Sequence, residues 1–101
     1  MVSDRGEKLF NLTLLGNVYL SLSQVVEEDA KRNLLYEAKT TFTKIMNRFP
    51  NEAAGYKGLG IYYANVGDAN SAIKYFNRSN AIVYDEEVEE WIQGLNLGTN
   101  E

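Results

Sequence analysis

The chain has 101 residues, the length of one ordinary domain with a single core; 45% hydrophobic and 24% charged residues, with 8 Gly and 1 Pro, are globular values rather than disordered or fibrous ones. It contains 0 Cys and 0 His, which excludes disulfides, thiolate nucleophiles, zinc sites of the usual ligand types and imidazole catalysis. A mild net charge of −4 with scattered Lys and Arg lacks the basic footprint of a nucleic-acid binder.

The opening Met1-Val2-Ser3-Asp4-Arg5-Gly6-Glu7-Lys8 is charged and runs into an interrupted apolar pattern, not a signal-peptide core. No stretch is long and apolar enough to cross a bilayer, so a cytoplasmic chain without membrane insertion is expected. A first helix is predicted from near Asp4, whose carboxylate is placed to cap it, with Leu12, Leu15, Tyr19 and Leu22 as its apolar face. Residues 23–33 read either way, as an extension of this helix or of the next. Glu27-Glu28-Asp29 ahead of Lys31-Arg32 favours a loop followed by an early start of the second helix, because acidic side chains suit the positive end of the helix dipole. That second helix carries Leu34, Leu35, Ala38, Phe42, Ile45, Met46 and Phe49 and is stopped by Pro50-Asn51.

An antiparallel hairpin is predicted next, over about 54–66 and 68–82. Tyr56, Leu59 and Tyr63 share one face of its first helix, where Gly60 lets a neighbouring helix approach. Gly55, Gly58 and Gly60 each weaken an isolated helix by roughly 1 kcal/mol relative to Ala, so packing must hold it. Gly67-Asp68 supplies the turn and the cap of a second helix bearing Ala72, Ile73, Tyr75 and Phe76. In the last segment, 85–97, Asp85 is placed to cap, four glutamates load the first turns, and Val88, Trp91, Ile92 and Leu95 form the stripe, with Trp91 as a core plug. Gly98-Thr99-Asn100-Glu101 reads as a frayed end.

A repeat underlies these elements. Ala38 and Ala72 stand 34 residues apart, as do Phe42 and Phe76, and Gly60 and Gly94. The stretch Tyr56-x-x-Leu59-Gly60-x-x-Tyr63, then Gly67-Asp68, Ala72 and Phe76, resembles the tetratricopeptide repeat. Leu15-Gly16-x-x-Tyr19, Ala38-x-x-x-Phe42 and Pro50 form an earlier copy with a longer interior. The resemblance spans roughly 9–84. It implies one all-α domain over 1–101: repeat 1 at about 9–50 with an insertion near 23–33, repeat 2 at about 53–84 and a capping helix at about 85–97. Five helices would stack as helical hairpins in a short right-handed superhelix.

By the same resemblance, the first helix of each hairpin lines a concave groove that takes a peptide of a partner protein. The residues so implied are Phe10, Thr13, Asn17, Leu20 and Ser21, then Ala54, Lys57, Ile61, Ala64 and Asn65. Asn17 and Lys57 would bond a ligand's backbone or carboxylate, and Phe10, Leu20 and Ile61 would give apolar contact. The family's carboxylate-clamp subclass is not matched beyond Asn17: Thr13, Gly58, Val88 and Ile92 stand at four of its other ligand positions. The expected role is a protein-interaction scaffold, not an enzyme, with no cofactor and no metal. The alternative is self-association, as a homodimer through repeat faces.

The other motifs have plainer readings. Gly55, Gly58 and Gly60 lack the preceding strand and following Lys-Ser/Thr of a phosphate loop. The acidic runs 27–29 and 85–90 lack the ligand spacing of a calcium loop and read as solvated helix starts. The triplets Asn11-Leu12-Thr13 and Asn77-Arg78-Ser79 fall within predicted helices.

Overall fold

In the computed structural model, which describes residues 4–99, the chain forms five α-helices: α1 (Asp4–Ser23), α2 (Glu28–Arg48), α3 (Ala53–Asn65), α4 (Ala69–Ile82) and α5 (Glu86–Thr99). The protein is all-α, and no strand occurs among the described residues. Each helix packs on the next in sequence, and α1 also touches α3, so α1–α2 and α3–α4 are successive hairpins followed by a single helix. The smallest extent, 19 Å, is about two helix diameters.

Local chemistry explains the boundaries. The α3–α4 turn is carried by Gly67 at φ +84°, where a side chain would be strained. Asp68 then caps α4: its carboxylate accepts the Ser71 backbone N–H at 3.1 Å and the Ser71 hydroxyl at 2.7 Å. The Asp85 carboxylate likewise accepts the Glu87 N–H at 2.9 Å, while Asn80 holds the Asp85 N–H at 3.1 Å. A cap by Asp4 lies outside the described side chains. The 23–33 segment resolves into a turn and a helix start: α1 ends at Ser23, α2 begins at Glu28, and Ser23 donates back to the Leu20 carbonyl at 2.6 Å. Most of the extra length of the first hairpin is therefore helix ahead of Ala38, whereas α4 begins only one turn before Ala72. α5 runs on through Gly98 and Thr99, and Asn100 and Glu101 of the expected frayed end lie outside the described residues.

The core is two clusters of side chains seated against bare backbone. Phe42 and Phe76 are almost wholly buried, with Ala38 and Ala72 fully buried beside them. A Cβ on Gly16 would lie 2.6 Å from the Phe42 ring, and one on Gly58 or Gly60 would overlap the rings of Phe42 and Phe76 respectively. Phe42 thus sits between two helices that each offer a glycine, and a Cβ on Gly55 would meet the backbone of Met46 at 2.7 Å. These glycines weaken α3 as an isolated helix, yet they permit its packing. At Gly94, which follows Gly60 by the repeat offset, an added Cβ would meet nothing within 4 Å.

Two sequence expectations are corrected. Leu15 and Leu22 do not face the core; with Leu14 and Val18 they lie exposed, while Leu9, Leu12, Gly16 and Leu20 face inward. The helical wheel of α1 carries apolar side chains on both arcs, and spacing alone does not say which arc is covered. Trp91 is half-buried rather than a plug: Val88 and Ile92 fill the core, and the indole leans on Phe76 with ring centroids 5.4 Å apart. Tyr62, Tyr63 and Tyr75 form one ring cluster, with Tyr63 and Tyr75 stacked at 5.5 Å and 2°.

Candidate functional site

The exposed faces of α1, α3 and α5 meet around Ile61. Three cavities share this residue. One of about 350 Å³ lies between α1 and α3, lined by Asn17, Leu20, Ser21, Gln24 and Asn65. A second of about 250 Å³ is lined by Thr13, Asn17, Ala54 and Lys57, with Phe42 visible at its base because Gly58 has no side chain to cover it. The third, about 310 Å³, runs toward α5 between Ala64, Phe76 and Trp91 and is almost wholly apolar. They form an interrupted groove across three helices.

Of the residues named from sequence, Thr13, Asn17, Leu20, Ser21, Ala54, Lys57, Ile61, Ala64 and Asn65 line these cavities. Phe10 does not: it is 68% exposed and borders none of the three. Their polar atoms are not equally available. The Thr13 hydroxyl donates to the Leu9 carbonyl at 2.7 Å. The Asn65 amide donates to the Ile61 carbonyl at 2.9 Å and accepts from Gln24 Nε2 at 2.8 Å, which ties the end of α1 to the end of α3. Asn17 keeps its amide without a hydrogen-bond partner among the described side chains.

Lys57, expected to bond a ligand's backbone or carboxylate, already has a partner within the chain. Its Nζ donates to Asp85 Oδ2 at 3.2 Å and lies 5.8 Å from the centre of the Trp91 ring. The Lys57 ammonium and the Glu87 N–H both stabilise the ionised form of Asp85, holding its carboxyl below the ordinary aspartate value. The pair bridges the start of α3 to the start of α5. A ligand carboxylate at Lys57 would have to share it with Asp85.

Sequence reasoning missed Gln24, Phe76 and Trp91 as wall residues. Gln24 follows the end of α1, and Phe76 and Trp91 border the apolar cavity from α4 and α5. The groove offers amides, one amine and apolar surface, which suits recognition of a chain segment. Among the described residues no group of three or more acidic side chains is arranged to hold a metal ion, and no helix is long and apolar enough to cross a membrane. Comparison with family models, with curated proteins and with solved structures finds no significant match to this chain.

Proposed function

We propose that this chain is a protein-interaction module of tetratricopeptide-like design, an adaptor or scaffold rather than an enzyme, whose α1–α3–α5 groove holds a peptide segment of a partner. The observation that supports this reading is the convergence of three cavities on Ile61, each bordered by small or amide side chains that leave the backbone approachable. In this reading an apolar ligand side chain enters between Ile61, Phe76 and Trp91, and Asn17 bonds the ligand backbone. The test is selection of binders from a displayed peptide library, followed by affinity measurement on Asn17→Arg and Ala64→Arg. Both sites are exposed and helical, so both variants should keep the fold. A loss of at least tenfold in both is expected, and equal affinity in both would remove the groove from the account.

A second reading rests on α1. Leu14 (53% exposed), Leu15, Val18 and Leu22 present apolar surface away from the core, and no charged residue occurs between Lys8 and Glu27. Two copies meeting about a two-fold axis would place this neutral face on itself. A head-to-tail contact would instead set it against Glu86, Glu87 and Glu90, exposed on α5. Sedimentation over a concentration series should show a dimer that Leu14→Glu/Val18→Glu dissociates. A monomer at every concentration would discard it.

A further inference from the structure

We propose a second binding site, on the layer formed by α2 and α4, for an acidic peptide segment that pairs an apolar side chain with neighbouring carboxylates. A cavity of about 410 Å³ opens there between the end of α2 and the middle of α4, within the size range of ligand-binding clefts. Met46, Pro50, Tyr56 and Tyr75 give it apolar walls, and Lys74 and Arg78, one turn apart on α4, stand at its edge. It shares no lining residue with the cavities at Ile61.

The two cations are held by rings rather than by carboxylates. Lys74 Nζ lies 5.6 Å from the centre of Tyr75, and Arg78 Cζ 5.2 Å from the centre of Tyr56. The Tyr56 hydroxyl, in turn, donates to the Pro50 carbonyl at 3.0 Å, which fixes the ring under the guanidinium. Tyr75 stacks on Tyr63, and Lys39 of α2 sits 5.5 Å from Tyr62 and 5.8 Å from Tyr63. A row of cations and rings therefore runs from Lys39 to Arg78. None of Lys39, Lys74 and Arg78 makes an ion pair among the described residues, although the chain has 14 acidic residues against 10 basic ones.

No Asp or Glu occurs from Ala69 to Tyr84, and Glu52, in the turn beside the cavity, pairs with neither cation. The acids that give the chain its sign are grouped instead at the starts of α2 and α5. Cations spared from neutralisation beside an apolar cavity are poised for charge-assisted bonds to carboxylates, with the Asn47 amide as a further donor. A peptide suits the row better than a polyanion does, since three cations on a chain of net charge −4 neutralise few phosphates and the remainder repels them.

The test uses an N-acetylated, C-amidated hexapeptide of alternating Glu and Leu, titrated at low salt into the 15N-labelled protein. The same peptide with Gln for Glu, and inorganic phosphate, serve as comparisons. Amide shifts at Asn47, Lys74, Tyr75 and Arg78 are expected, with affinity at least tenfold weaker for the Gln peptide and for Lys74→Glu/Arg78→Glu. Lys74→Gln/Arg78→Gln, which keeps the bulk without reversing the charge, should lose most of the binding as well, with an unchanged helical circular dichroism spectrum. The proposal is overturned if no shift appears at these residues, if shifts fall at Ile61 instead, or if either double variant binds as the parent does. It is equally overturned if phosphate binds at these residues as tightly as the peptide, marking an anion site indifferent to peptide. Its failure would leave the Ile61 groove untouched, since the two share no residue.

Discussion

The helices α1 and α3 are both apolar around most of their circumference, yet the fold treats them differently. α3 lies between α1, α2 and α4, and Gly55, Tyr56, Gly58, Leu59 and Gly60 are all buried in it. α1 is covered on one arc only, by Phe42 against Gly16 and by α3 near Leu20, and its outer arc of Leu14, Leu15, Val18 and Leu22 faces solvent. A helix that is apolar all round is one whose surroundings are apolar all round. For α3 those surroundings are the chain itself; for α1 the outer arc is solvent in the isolated chain, and the self-association reading proposes a second copy there. The ends of the hairpins differ too. α4 and α5 start at carboxylates that accept backbone N–H bonds, whereas Glu27, before α2, makes no such bond.

The glycines of α3 and α5 carry the largest expected differences in stability. Gly60→Leu should cost about 3 kcal/mol or more, because the Phe76 ring occupies the space of the new side chain. Gly94→Ala, with open space around it, should instead stabilise by up to about 1 kcal/mol through helix propensity. Thermal and denaturant unfolding measure both, and an unchanged midpoint for Gly60→Leu would refute the close approach of α3 and α4. Next in size, Leu20→Ala on the covered arc of α1 should cost roughly 2–5 kcal/mol. Val18→Gln on the outer arc should stay within about 0.5 kcal/mol in the monomer, and equal losses would erase the distinction between arcs.

The smallest effect concerns the caps. Hydrogen bonds from Ser71 hold Asp68, and those from Lys57 and Glu87 hold Asp85, below the ordinary aspartate value in the folded state. The unfolded chain therefore takes up these protons first as pH falls. Their contribution is complete above about pH 4 and disappears as pH drops through the lower folded-state values. The fall in melting temperature on acidification should be shallower in Asp68→Asn/Asp85→Asn than in the parent. Identical falls would show that these carboxylates do not stabilise the helix starts.

The sequence carried the helix order and the tight packing points because local rules determine them. Ala38 and Phe42 recur as Ala72 and Phe76, and Gly67-Asp68 is turn chemistry with a cap. It concealed whatever depends on which helix lies beside which. Gly58 did not read as a packing point, since nothing local says that Phe42 of the preceding helix lies across it. Lys57 read only as a ligand contact, with no sign of its bond to Asp85, 28 residues away. Leu15 and Leu22 match a covered stripe as well as an uncovered one. The pairing of Tyr56 with Arg78 brings separate helices together and has no signature in spacing.

The groove is tested most directly by 15N amide shift mapping with the tightest peptide from the displayed library. The account predicts shifts concentrated at Asn17, Lys57, Ile61, Ala64, Asn65 and Trp91, with the α2 and α4 flank silent. Shifts confined to that flank or to the outer arc of α1, with Ile61 unmoved, would contradict it.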